Sequence, residues 1–264
     1  MSRILWRSGL CRFLTIEQDG YKIRFHPSSV SVQLWLDPLE RARTPAFLRK
    51  YLRSGEIVVD VGANVGTTVL AAAVAVGETG HVHAIEANPR VFRFLIQNVE
   101  LNGFQNVHAH NIAVGAEDGV VQFSDGMWDD VNRVVSEGEI EVPLRPLDDL
   151  VTEAVVHLLK IDVEGYELKV LEGARDLLSR THCVYVESCE DAFRSYGYGT
   201  QEMLDTLRES GFEVFLEPVD GVMRRLPTQY SSPHHENLVA VRDPADLIRR
   251  TGLAFAESRE PARP

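Results

Sequence analysis

The chain has 264 residues, 44% of them hydrophobic, enough for one α/β core and an additional segment. A formal net charge of −12 argues against general nucleic-acid binding, which needs a basic face for phosphates. Cys11, Cys183 and Cys189 are odd in number and lack zinc spacing, as expected of reduced thiols in a cytoplasmic protein.

The first stretch, Met1 to Leu14, mixes Arg3, Arg7 and Arg12 with Ile4, Leu5, Trp6, Leu10, Phe13 and Leu14. It lacks a continuous apolar run and a small-residue cleavage site, so it does not read as a secretion signal. A docking helix is the expectation, with weak peripheral contact to anionic lipid as the alternative. No apolar stretch reaches the roughly 18 residues a bilayer span needs. Thr15-Ile16-Glu17 and Tyr21 to Phe25 flank Asp19-Gly20, a hairpin signal. Pro38 to Arg53 then reads as a helix leading to Gly55. Residues 1–54 are therefore expected to be an N-terminal extension outside the nucleotide fold, basic in charge. Trp35 within it would serve as an acceptor wall or lid.

From Glu56 the pattern becomes regular. Strand 57–60 runs into Gly62-Ala63-Asn64-Val65-Gly66 and a buried helix over 66–76. Strand, glycine turn and helix together form a nucleotide-binding unit. The order is D-x-G-x-N-x-G from Asp60 to Gly66, whereas a pyrophosphate binder wants G-x-G-x-x-G. A carboxylate at Asp60 would repel a pyrophosphate and attract the ammonium of an amino acid. Strand 81–85 ends in Glu86, an acid able to accept hydrogen bonds from both ribose hydroxyls. A ribose, an ammonium and no phosphate describe S-adenosylmethionine. An NAD-dependent oxidoreductase and a non-catalytic S-adenosylmethionine-binding module are the alternatives.

Helix 89–101 opens on Pro89 and closes at Asn102-Gly103, and a third strand is expected from Val107 to Ile112. Residues 115–149 are rich in Gly, Asp and Glu, with β-like pieces at 120–123 and 140–142. Trp128 and Asn132 in the loop 124–132 suit a sugar face, although any long acidic loop has such a mixture. Strand 155–161, helix 166–179, strand 183–187, helix 200–210 and closing strands 213–216 and 237–241 follow. This alternation implies a Rossmann-like α/β domain over 55–242, with a mostly parallel sheet and helices on both faces. Residues 243–264 read as a polar, partly disordered tail.

Ligands of such sheets sit beyond the carboxyl ends of the strands, where Asp60, Glu86, Asp162 and Glu187 fall. Asp162 would lie across the crevice from Asp60, near the transferred group, as general base or metal ligand. Glu164 would either line the site or cap the next helix. Lys160 would pair with an acid or keep a solvated stem. Glu187 with Asp162 would suit a hard cation such as Mg²⁺, the alternative being a polar loop. His234 and His235 are second candidates for the base. His81, His83, His108 and His110 fall at strand entries and read as surface residues.

These motifs resemble those of the FkbM-type S-adenosylmethionine-dependent methyltransferases over roughly 55–215. The resemblance rests on Val59 to Gly66, Glu86-Ala87-Asn88-Pro89, Asn98 to Gly103, Ala113-Val114-Gly115, Leu147 to Leu150, and above all Leu159-Lys160-Ile161-Asp162-Val163-Glu164-Gly165. One departure is Ala87, where the family usually has proline. The resemblance implies a seven-stranded class I fold, with Ala87 and Ala113 joining Asp60, Gly62, Asn64, Gly66, Glu86 and Asp162 around the cofactor. It also implies methyl transfer to a hydroxyl of a sugar, glycolipid or polyketide-type secondary metabolite. Homo-oligomerisation is left open.

Overall fold

A computed structural model describes residues 14–126, 132–138 and 140–256. The nucleotide-binding unit forms as the sequence requires. Strands β1 (Thr15–Gln18) and β2 (Tyr21–Arg24) make an isolated hairpin. The main sheet takes β3 (Ile57–Val61), β4 (His81–Ile85), β5 (Val107–His110), β10 (Val156–Ile161), β11 (Thr181–Ser188), β12 (Glu213–Leu216) and β14 (Glu236–Val241). Their order is β12-β14-β11-β10-β3-β4-β5, with β14 antiparallel to both of its neighbours. Strand β3 has the next strand in sequence, β4, on one side and the much later β10 on the other. The chain therefore diverges between β3 and β10, and a crevice opens at their carboxyl ends.

The acidic stretch after β5 builds a second sheet. It contains β6 (Ala113–Val114), β7 (Gly119–Phe123), β8 (Val134–Val135) and β9 (Ile140–Arg145), in the order β6-β9-β7-β8. The predicted third strand, 107–112, ends at His110, and the next strand, β6, already belongs to the second sheet. The predicted helix 166–179 divides, into Glu167–Glu172 and Arg175–Ser179, at Gly173.

Three further expectations change. The N-terminal extension shares the main core: Ile23, Leu48 and Tyr51 are buried in one cluster with Val58, Val69 and Leu70. Asn98 and Asn102 clip the hairpin to helix Pro89–Asn102 by accepting the N–H groups of Arg24 and Lys22 at 2.8 and 2.7 Å. The region ahead of Pro38 also forms a helix, Ser29–Leu36, capped by the Ser28 side chain. Within the tail after Asp243, the described residues 244–256 form a helix and a strand. Asp243 caps helix Pro244–Thr251, Gly252 ends it, and β15 (Ala254–Ala256) pairs with β13 (Val222–Arg224). Arg250 anchors this helix to Glu56 at 2.6 Å and is held within the helix by Asp246 at 2.7 Å. Of the four strand histidines, His83 is buried and bonded to Glu153 at 2.6 Å, so it is not a surface residue. Among the described residues, no helix is long and apolar enough to cross a membrane.

Candidate active site

Strand β3 carries Val58 and Val59 into the core and reaches a turn at Gly62, whose φ is +81°. A Cβ on Gly62 would lie 1.8 Å from the Asp162 carbonyl oxygen, so only glycine lets the loops after β3 and β10 touch. The Asp162 N–H reciprocates by donating to the Val61 carbonyl at 3.0 Å. Gly66, at φ +95°, starts helix Thr67–Val76, and a Cβ there would meet Leu95 at 2.7 Å. Gly66 therefore serves close packing below the turn. It is not among the residues lining the cavity.

That cavity, about 330 Å³, sits at the switch point. A small-ligand pocket commonly holds about 300–1,000 Å³. One half is lined by Gly62, Ala63, Asn64, Glu86, Ala87 and Ala113, all named by the sequence except Ala63. Glu86 joins two loops: its carboxylate accepts from the Asn64 N–H at 2.9 Å and the Asn88 N–H at 2.7 Å. A carboxylate has about four acceptor sites, so one side chain can serve both loops at once.

Asp60 takes a different place from the expected one. Its side chain is fully buried beneath the turn and does not line the cavity. Lys160 Nζ lies 3.3 Å from Asp60 Oδ1 and 3.1 Å from Asp162 Oδ2. The strand alternation explains this: β3 and β10 are paired with Asp60 opposite Lys160, so both side chains leave the same face. Burial pushes the Asp60 carboxyl up, against the pull of Lys160. Burial opposes the Lys160 charge too, but Asp162 and Asp60 together hold its pKa above the ordinary lysine value. An ammonium between two carboxylates is the result, with Asp162 as the partner that faces the cavity.

The other half of the cavity draws on elements outside the first nucleotide-binding unit. Helix Ser29–Leu36 and its C-cap contribute Val30, Gln33, Leu34 and Asp37, the second sheet contributes Phe123 and Val134, and the loop before β8 contributes Asn132. Trp35 is 51% exposed and turns away to meet Phe25 edge-on, with ring centroids 6.3 Å apart. Spacing i, i+4, i+7 from Val30 marks the face that does line the site. Ser28 before this helix was the sequence signal for it. Asn132 is buried and accepts from the Gly126 N–H at 2.9 Å, so it also holds its own loop. Trp128 lies outside the described residues.

Strands β10, β11 and β14 bring three titratable groups together at the far edge. Ligand atoms of Glu164, Glu187 and His235 all fall within 4.8 Å of one another. His235 Nδ1 is 3.3 Å from Glu187 Oε1, and this pairing raises the His235 pKa to about 9. Burial, with Glu187 and Asp162 adding repulsion, pushes Glu164 up to about 8. The capping role considered for Glu164 is not taken up, since helix Glu167–Glu172 has no side-chain cap; Glu167 in its first turn instead accepts from the Val163 N–H at 2.9 Å. Glu187 therefore gathers with Glu164 and His235, while Asp162 is engaged by Lys160. The expected Asp162–Glu187 metal pair is not the grouping that forms. His234 does not line the cavity, and neither does His235, which reaches it only through Glu187.

A seven-stranded sheet with one reversed strand, a glycine turn after β3 and an acid ending β4 define a class I S-adenosylmethionine-dependent methyltransferase. A family model described as the methyltransferase FkbM domain matches residues 60–214, and the chain belongs to that family. This overturns the oxidoreductase alternative. A relative, hexuronic acid methyltransferase AglP of Haloferax volcanii, is 28% identical over 178 residues, covering 65% of this chain and 72% of its own. Methyltransferase 1 of Beauveria bassiana is 29% identical over 195 residues, covering 62% and 74%. Among solved structures, a SAM-dependent methyltransferase of Aquifex aeolicus is similar with a TM-score of 0.47 and 15% identity, over 83% of this chain and 98% of its own.

Proposed function

We propose that this methyltransferase moves a methyl group to a hydroxyl oxygen of a sugar-type acceptor, free or at the head of a glycolipid, with Asp162 taking the proton. The placement of Asp162 carries the reading. It lines the cavity where the two halves meet, its side chain is 37% exposed, and Lys160 steadies one oxygen from below. An alcohol is a poor nucleophile at neutral pH, so a base is needed as its proton leaves. When bound, S-adenosylmethionine supplies the electrophilic methyl. Gly62, Ala63, Asn64, Glu86, Ala87 and Ala113 are the residues that would hold it, and the cavity volume suits such a ligand.

The apolar side chains Val30, Leu34, Phe123 and Val134 close around the site and exclude water, which an in-line displacement requires. Gln33, Asn132 and Asn237 offer neutral hydrogen-bonding groups of the kind a polyol engages. The relative named as a hexuronic acid methyltransferase supports a sugar acceptor. A divalent cation such as Mg²⁺ would find its oxygen and nitrogen donors at Glu164, Glu187 and His235, since the Lys160 ammonium already sits against Asp162.

The test uses methyl-labelled cofactor with a panel of sugars and glycolipids, followed by mild alkali. A methyl ether keeps its label through alkali, as expected here. Label lost to alkali would reveal a methyl ester, an acceptor carboxylate that needs no base, and would overturn the role given to Asp162.

A further inference from the structure

Strands β4 and β5 form the outer edge of the main sheet, and imidazoles line one face of it. His81 and His83 on β4, and His108 and His110 on β5, fall at alternate positions, with His83 opposite His108. The four rings zigzag across the two strands. Centroids are 5.3 Å apart from His81 to His108, 5.5 Å from His108 to His83 and 5.7 Å from His83 to His110. His81 Nδ1 lies 3.2 Å from His108 Nε2, a contact that needs one N–H and one bare nitrogen. Charging both rings would set N–H against N–H. A charged His110 must carry a proton on Nε2, and that atom is buried with no hydrogen-bond partner among the described residues. Glu153 bonds His83 Nε2 at 2.6 Å, and Arg180 donates to the Glu153 carbonyl. Among the described residues, the titratable groups acting on His108 and His110 are these histidines and Glu153. Burial first, then the neighbouring imidazoles, holds both rings below the ordinary histidine pKa.

The same strand end supports the cofactor wall. The His110 carbonyl accepts the Glu86 N–H at 3.0 Å. Asn111 next to it donates its side-chain amide to the carbonyls of Glu86 at 2.8 Å and Ala87 at 3.0 Å. Ile112 and Ala113, which follow, line the cavity. As an edge strand, β5 is paired on one side only, with β4. Resting on the reading that Glu86 holds the ribose of S-adenosylmethionine, we propose that the four histidines are a proton sensor for the cofactor site. Acid charges His108 and His110, loosens β5 from β4 and withdraws the support of the Glu86 loop. While the rings are neutral, their cross-strand contacts hold the edge together. Each ring that takes up a proton adds a like charge beside its neighbours, with Glu153 as the counter-charge. Because both folded values are lowered, the edge keeps its full stability above about pH 6.5 and loses it as pH falls below that value. Cofactor and protons then oppose each other's binding.

The experiment measures S-adenosylhomocysteine affinity by calorimetry across that range. Affinity should hold between about pH 8 and pH 7, then weaken by up to about tenfold for each of the two histidines at about pH 5.5. A His108→Gln/His110→Gln double variant keeps the backbone bond to Glu86 and separates these rings from other titrating groups. It should bind with parental affinity at neutral pH and lose the acid decline. A second measurement needs no variant: the NMR titration midpoints of His108 and His110 in the parent protein should move down when S-adenosylhomocysteine is bound. Affinity that stays flat into acid, a double variant with the parental decline, or midpoints that ignore the ligand overturns the proposal. A parent protein that fails to bind S-adenosylhomocysteine even above neutral pH overturns the cofactor reading together with it, whereas pH-independent binding overturns the sensor alone.

Discussion

The proposed cofactor half and the proposed acceptor half of one cavity are built by different means. On the cofactor side, a single stretch and its neighbour, Gly62 to Asn64 and Glu86 to Ala87, supply most of the wall, much of it glycine and alanine positions. On the acceptor side, the wall is assembled from a helix before the sheet, an inserted second sheet and the ends of β10, β11 and β14. The first half is local in sequence and can be carried between proteins as a motif. The second is non-local, made of side chains that meet only after folding.

The sharpest way to break the comparison is to remove residues 1–50, which contribute to the acceptor side. Treated as an independent lid, the segment would leave cofactor binding intact. Ile23 and Leu48 are instead buried in the main core, and each such side chain contributes about 1.5–3 kcal/mol. The truncated chain should lose its cooperative thermal transition; a sharp transition with parental cofactor affinity would restore the lid view.

Asp162→Asn tests the junction of the halves. Loss of a general base should lower kcat by about 10²–10⁴-fold, with the melting temperature nearly unchanged because Lys160 keeps Asp60. A variant keeping more than about a third of parental kcat, far above that range, removes the assignment. Lys160→Met should act in the opposite sense, on the fold first. It strands the buried Asp60 carboxylate, a loss of about 3–5 kcal/mol in chemical denaturation. Adding Asp60→Asn should recover part of that loss, and no recovery would show that the pair is not what stabilises the turn.

Glu86→Gln retains one acceptor for the loop bonds while weakening a charge-assisted ribose contact, each worth about 1.5–3 kcal/mol. Cofactor affinity by calorimetry should fall at least tenfold, and an unchanged value would move the ribose elsewhere. The smallest effect concerns the outer edge. His235 should titrate by NMR near pH 9 and fall toward the ordinary histidine value in Glu187→Gln. Because its folded pKa is raised, the pair's contribution is complete below about pH 6.5 and is lost as pH rises through about 9. Exposure of His235 limits that contribution to about 0.2–1 kcal/mol. A midpoint near 6.5 in the parent protein would mean that the ion pair does not form.

Much of the cofactor half was legible because its signals are consecutive: a β-branched run, an acid, glycines at fixed spacing and a second strand ending in Glu86. Asp60 shows the limit of such a reading. Its position at the strand end was correct, yet which way an alternating side chain faces depends on the partner strand, and β10 delivers Lys160 beside it. Helix Pro244–Thr251 was readable and missed: Asp243, Pro244 and Gly252 are ordinary stop and start residues, outweighed by a polar composition. Trp35 was chosen for size, whereas Leu34 on the same helix and Asp37 at its C-cap line the site.

The sequence by itself determined the alternation of strands and helices, the glycine turn and the acids at strand ends, because backbone periodicity and glycine conformation act within a few residues of chain. Only the tertiary structure decided that Lys160 stands between Asp60 and Asp162, and that Glu164, Glu187 and His235 meet. Those contacts join residues up to 100 positions apart, as in the Asp60–Lys160 pair. Their charges depend on burial and neighbours, which no single segment of the chain contains.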